Sequence, residues 1–150
     1  VQLYFRSVGR NAKLLLNVPP TRAGLLHETD TARLAAFHDW LREAFARDVA
    51  AGRRVEWQRT GERTATAEID LGRSLDVTFI RLEEPIERGQ TVARYSVAAS
   101  ADRASWRVLS RGTTIGYARL DRVEAAAIRF VRVTIEDAIA APDPIRVRIY

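Results

Sequence analysis

The sequence predicts a mainly β chain, in which an antiparallel sandwich is preceded by one strand and one helix of a different design. Three observations predict this. Residues 52–150 hold a succession of short runs that alternate apolar with polar residues and are separated by turn residues, the signature of antiparallel strands with one buried face. Residues 14–18, Leu-Leu-Leu-Asn-Val, form an unalternated apolar run instead, the pattern of a strand buried on both faces. Residues 30–50 repeat apolar side chains at helical spacing.

Taken in order, Gln2 to Ser7 read as a helix end, with Gly9 as its stop, because glycine enters the left-handed C-terminal position without a Cβ penalty. The apolar run follows and stops at Pro19-Pro20, which have no N–H for a ladder. After a loop comes a helix from Asp30 to about Ala50, capped by Thr29 or Asp30, with Leu34, Phe37, Leu41 and Phe45 on one face and Trp40 widening it. Gly52 marks its end.

Seven strands are then expected. The first, TATAEIDL, points Ala65, Ala67, Ile69 and Leu71 inward. DVTFIRLE is the second, with a break of phase at Phe79-Ile80 that suggests a bulge. TVARYSVAA is the third, with Ala93, Tyr95, Val97 and Ala99 in register; SWRVLS and TTIGYARL are the fourth and fifth. IRFVRVTI and IRVRIY close the series, with Val131, Val133, Ile135, Ile145, Val147 and Ile149 inward.

A doubly buried strand with a one-faced helix is half of a parallel βαβ design and cannot bury its own surface. Its partners are expected upstream of Val1, and Leu14 to Val18 are expected to lack most of their neighbours in these 150 residues.

Composition narrows the function. The net charge is +5, nearly all from arginine, dispersed along the chain and interleaved with acids, as in Arg81-Leu82-Glu83-Glu84. Neutralising a row of phosphates takes clustered positive charge, so nucleic acid is not expected as a partner. No apolar stretch approaches the roughly 18 residues of a membrane span, and no signal peptide is visible. There is no cysteine, and His27 and His38 have no metal-ligand spacing, so neither a disulfide nor a metal site nor a cofactor is expected.

The first 50 residues carry a specific resemblance. Ser7-Val8-Gly9-Arg10-Asn11, then Leu14 to Val18, Pro19-Pro20, Arg22 to Gly24, and Leu34, Phe37 and Trp40-Leu41 resemble the end of the catalytic domain of α-L-fucosidases, glycoside hydrolase family 29. The later segments EIDLG, WRVLSRGTTIGYARL and AIRFVRVTIEDA resemble the discoidin-like, galactose-binding-like sandwich that follows the barrel in members associated with α-1,3/1,4 linkages. The resemblance implies two regions: residues 1–51, the last strand and helix of a (β/α) barrel, and residues 52–150, a C-terminal sandwich packed on that barrel. Where the family opens its sandwich with an Asp-Gly…Tyr-Trp loop, only Trp57 remains here, so the start of the sandwich reads as shortened. The family also suggests a periplasmic or secreted setting.

Retaining glycosidases use two carboxyl groups about 5 Å apart. The family's aspartate nucleophile and glutamate acid lie on segments that match nothing here, so no residue of this chain is assigned as catalytic. A fucosylated glycan would be met through the catalytic domain outside these residues. Asn17, at the carboxyl end of its strand, either lies at the rim of the substrate cleft or is a buried asparagine satisfying loop backbone. Arg22, in the next loop, has a rim position or plain surface open to it. Trp57 and Tyr117 are candidates for stacking on a sugar, whereas Trp106, at the start of a strand, is expected in the core. Arg59, Arg111 and Arg119 have the chemistry to bind hydroxyls or carboxylates, but arginine is too abundant here to single them out. Three functions therefore stand: part of a fucosidase, a carbohydrate-binding module, or a structural buttress.

Overall fold

The computed structural model describes residues 1–150 apart from the side chain of Arg88. The N-terminal region contains helices α1 (Gln2–Arg6) and α2 (Glu28–Ala44). Six strands follow: β1 (Glu56–Arg59), β2 (Ala65–Glu83), β3 (Val92–Ser100), β4 (Arg107–Gly112), β5 (Arg119–Ala138) and β6 (Arg146–Ile149). All pair antiparallel, in the order β1-β2-β5-β3-β4, with β6 on the far half of β2.

Two of the expected strand pairs are merged. TATAEIDL and DVTFIRLE are one 19-residue strand, β2, and TTIGYARL contributes only its end to the 20-residue β5. What reads as a turn in sequence is a bend within a ladder. Between Asp70 and Phe79 the β2–β5 register slips three times. Gly72 has φ 81°, and on the facing strand Glu124 and Ala127 have φ 44° and 54°. The near half of β2 pairs with β1 and the far half of β5, while its far half pairs with β6 and the near half of β5. The two long strands thus carry one curled sheet around one core, as bulges allow.

The inward residues are those the alternation predicts. Ala65, Ala67, Ile69, Leu71, Tyr95, Val97, Ala99, Val131, Val133, Ile135, Ile145, Val147 and Ile149 are all buried. Ala93 is only half-buried, because the register shifts between Val92 and Tyr95 and turns Val92 inward instead.

The phase break at Phe79-Ile80 has a clear cause. Both residues are buried. Ile80 belongs to the sheet's core, while Phe79 points to the other face, where its ring lies 5.3 Å from Phe5, 6.2 Å from Trp40 and 5.4 Å from Phe45. Tyr4, Phe37 and Tyr150 extend this aromatic cluster, with Phe45 and Tyr150 5.0 Å apart edge to face. It is the seam between helices and sheet. Backbone bonds reinforce it: Phe79 and Tyr150 exchange both N–H···O bonds at 2.8 and 2.9 Å, and Asp48 Oδ1 accepts from the Ala50 and Ile149 amides at 3.0 Å. Residues 48–50 therefore already run along β6 rather than ending the helix.

The helix boundaries differ from expectation. Helix α2 begins two residues early, at Glu28, because His27 is its N-cap, with Nδ1 accepting from the Thr29 amide at 3.2 Å. It ends at Ala44, six residues early. Gly9 is not left-handed. It is glycine because a Cβ there would lie 2.8 Å from the Phe5 carbonyl and 3.1 Å from Leu120, and the left-handed residue is Asn11 at φ 65°.

Residues 14–18 pair with no strand. Leu15 is 93% exposed, and no residue of α2 is fully buried. The sheet of this chain turns other faces to its helices, so the run has no ladder to join. The expected shortage of neighbours is what the structure has.

Candidate functional site

The four candidate residues are not brought together. Asn17 is exposed in this chain, where Leu14 and Val18 are only half-buried, so it is not the buried asparagine of the alternative reading. Asn17 lines a groove of about 250 Å³ between that segment and α2, with Leu14, Leu16, Leu34 and Phe37 as its apolar walls. Arg22 is exposed in the turn that Thr21 closes by bonding to Leu25. Trp57 lies elsewhere, packed on the core, with its indole N–H donating to the Ile145 carbonyl at 3.1 Å. Trp57→Phe keeps the packing and removes that bond, so we expect a loss of about 1 kcal/mol in denaturant unfolding. Trp106 is a correction: it is half-buried, not core. Its N–H donates to the Arg103 carbonyl at 3.0 Å, and the Arg132 guanidinium lies 3.8 Å over its ring.

Tyr117 is 64% exposed on the loop before β5, and that loop is held firmly. Its organiser is Glu84, which in the sequence is only half of an acidic dipeptide. Glu84 is 7% exposed. Its Oε1 accepts from the Thr91 and Val92 amides at 2.7 and 3.0 Å and from the Thr91 hydroxyl, and its Oε2 accepts from the Gly116 amide at 2.6 Å. Gly116 has φ 62°, and its N–H turns to the carboxylate rather than to a ladder, which is why TTIG is a loop. Asn11 completes the site. Its Oδ1 accepts from the Tyr117 amide at 2.8 Å, and its Nδ2 donates to Gln90 at 3.1 Å. Residues Asn11, Gln90 and Tyr117 thus form one polar and aromatic surface on three different segments.

A second buried carboxylate ties the N-terminal region to the sheet. Asp121 Oδ1 accepts from Arg10 Nη1 at 3.0 Å and Arg119 Nε at 2.9 Å, and Oδ2 accepts from the Tyr95 hydroxyl at 2.6 Å. Burial pushes the carboxyl up. The Tyr95 bond and the two guanidiniums outweigh it and hold Asp121 below its ordinary value of 3.8. Burial, then the facing carboxylate, pushes the Tyr95 hydroxyl well up. A carboxyl depressed in the fold stabilises fully above its unfolded value, and the contribution is lost as pH falls through the folded value. The stability difference between the chain and its Asp121→Asn variant should therefore be largest at neutral pH and shrink below pH 3.8, read by urea unfolding across that range. The sequence does carry a trace of this pair: Tyr95 is on the inward phase, and a buried hydroxyl needs a partner.

Glu84 holds loops and Asp121 holds the N-terminal region to the sheet, so both buried carboxylates are engaged structurally. Several of the others face arginines, as half-buried Asp70 does with Arg129 at 2.9 and 3.0 Å and half-buried Glu68 with Arg132 at 2.6 Å. Among the described residues no three acidic or histidine side chains gather as metal ligands.

No protein-family model matches the chain. Curated proteins do. An Oryza sativa subsp. japonica protein named for alpha-L-fucosidase is 30% identical over 169 aligned positions, covering 95% of this chain and 32% of that protein. Alpha-L-fucosidase 1 of Arabidopsis thaliana is 25% identical over 87% of this chain and 32% of its own length. The chain thus spans about a third of the curated relatives it matches. Solved structures agree: SpGH29 superposes over 99% of this chain and 38% of its own, with TM-score 0.88 and 29% identity. A Ruminococcus gnavus GH29 fucosidase solved in complex with fucose does so with TM-score 0.85 and 26% identity, over 99% of this chain and 34% of its own. A chitosan-binding module from Paenibacillus sp. IK-5 shares the fold alone, at 14% identity and TM-score 0.58, over 69% of this chain and 98% of the module. By sequence and by fold, the chain matches about a third of the α-L-fucosidases of glycoside hydrolase family 29.

Proposed function

We propose that this chain is the C-terminal scaffold and accessory region of a retaining α-L-fucosidase that removes terminal L-fucose, α-1,3/1,4-linked, from glycans. The observation that carries the proposal is the match of 99% of the chain to about a third of solved fucosidases. The fucose held by the R. gnavus relative supports the choice of sugar. Residues 1–51 are the end of the catalytic barrel and residues 52–150 the accessory sandwich. Leu3, Leu15, Leu16, Leu25 and Leu26 are exposed, and the apolar stripe of α2 is only half-covered. A set of large apolar side chains left in water on one region suits docking against a further body, and the barrel is that body. Asn17 and Arg22 then lie at the rim of its cleft. The test is the reading frame upstream of Val1: it should encode parallel barrel strands carrying an aspartate nucleophile. A frame without them contradicts the proposal.

A second reading has one observation in its favour, the exposed Tyr117 ring on a loop fixed by Glu84. In this reading the sandwich itself binds sugar. Calorimetric titration of the chain with fucosylated and galactosylated glycans separates the two roles. Binding lost in Tyr117→Ala makes it a binding module, and no binding leaves it a buttress.

A further inference from the structure

We infer that the cleft between α1 and strands β4 and β5 is an oxyanion site, which takes a sulfate or carboxylate group of the kind an acidic sugar carries. The inference goes beyond the fucosidase reading and does not depend on it. The cleft encloses about 430 Å³, room for a group the size of one sugar ring, and Arg6, Arg10, Ser110, Arg111, Arg119 and Asp121 line it.

Its charge is unbalanced. Asp121 sets one negative charge against two guanidiniums, Arg10 and Arg119, and both its oxygens are engaged. Arg6 and Arg111 are exposed and bring two more positive charges. Neither has a carboxylate within salt-bridge distance among the described residues. Arg122, also on the cleft, is already paired with Glu124. Four guanidiniums around one carboxylate repel one another unless an anion joins them, and the guanidinium fork matches the oxygens of sulfate and carboxylate.

An independent observation points the same way. The Ser110 hydroxyl is buried on this cleft without a hydrogen-bond partner. Native folds rarely leave such a group unmatched, and a change of Ser110 rotamer brings this donor to an oxyanion in the cleft. Phe5 and Leu120 add apolar wall, which suits the body of a sugar better than a bare ion.

The test is calorimetric titration of the chain, at constant low ionic strength, with sodium sulfate, galactose 6-sulfate, galacturonate and galactose. We expect saturable, mutually competitive binding of the three anions, tighter for the acidic sugars, and none of galactose. Arg111→Ala and Arg6→Ala should each weaken binding about tenfold, whereas Arg129→Ala, which removes the pair with Asp70 and the stacking on Phe130 away from the cleft, should leave it unchanged. Circular dichroism checks that each variant is folded. Absence of saturable anion binding, or equal affinity in the folded Arg6 and Arg111 variants, overturns the inference.

Discussion

Replacing Glu84 by alanine should cost the fold about 3–5 kcal/mol, since it strands buried donors that each cost roughly 1–3 kcal/mol when unmatched. Three backbone amides, those of Thr91, Val92 and Gly116, and the Thr91 hydroxyl all end on this one carboxylate. Water can reach some of them once the loops part, which keeps the loss below the full sum. For a domain of this size the melting temperature should fall by about 10 °C. Glu84→Gln should cost less. Its oxygen still serves Thr91 and Val92, but its amide then faces the Gly116 N–H, donor against donor. Hydrogen exchange locates the effect: the Thr91 and Gly116 amides should lose protection first, while the amides of Val131 and Val133 keep theirs. Uniform loss of protection would mean that Glu84 supports the whole core and not the two loops.

Phe79→Ala is the second large effect. The side chain is buried among the rings of Phe5, Trp40 and Phe45, and truncating such a residue costs about 3–5 kcal/mol. Its location makes the outcome distinctive. Phe79 lies on the face of β2 away from the core, so the sheet keeps its packing and the helices lose theirs. Helix α2 has no fully buried residue of its own and depends on this seam. The variant should therefore lose helical circular dichroism at a lower temperature than sheet signal, giving two transitions. One shared transition, unmoved from that of the parent chain, would show that the seam does not hold the helices.

The same residue marks how far the sequence could be read. Alternation located the inward positions of β2, β3, β5 and β6 because each half-buried strand obeys a period of two. The Phe79-Ile80 break was visible, but its meaning was not, because covering both faces of β2 depends on α1 and α2 folding back over it. Merging four expected strands into β2 and β5 was hidden for a related reason. Gly72 and the Glu124–Ala127 stretch look like turns in one dimension, and only the facing ladder makes them bulges. Helix α2 started early because a histidine caps it, a role more often taken by Ser, Thr, Asp or Asn. Site residues fared unevenly. Tyr117 is a stacking candidate whose exposure the sequence leaves open, and its ring is exposed, while Trp57 turns toward the core through a bond to Ile145, 88 positions away, that no local pattern encodes. Glu84 and Asp121 were missed because a buried carboxylate reads as an ordinary surface acid until its donors, drawn from distant segments, are placed around it. The family resemblance, by contrast, rested on contiguous motifs and so was legible directly.

The most direct test of the central claim is release of L-fucose from an aryl α-L-fucoside, measured for the product of the whole reading frame and for residues 1–150 alone. The whole product is expected to hydrolyse the fucoside with retention of configuration and the 150 residues not at all. Fucose release by residues 1–150 alone, or an inactive whole product, would contradict it.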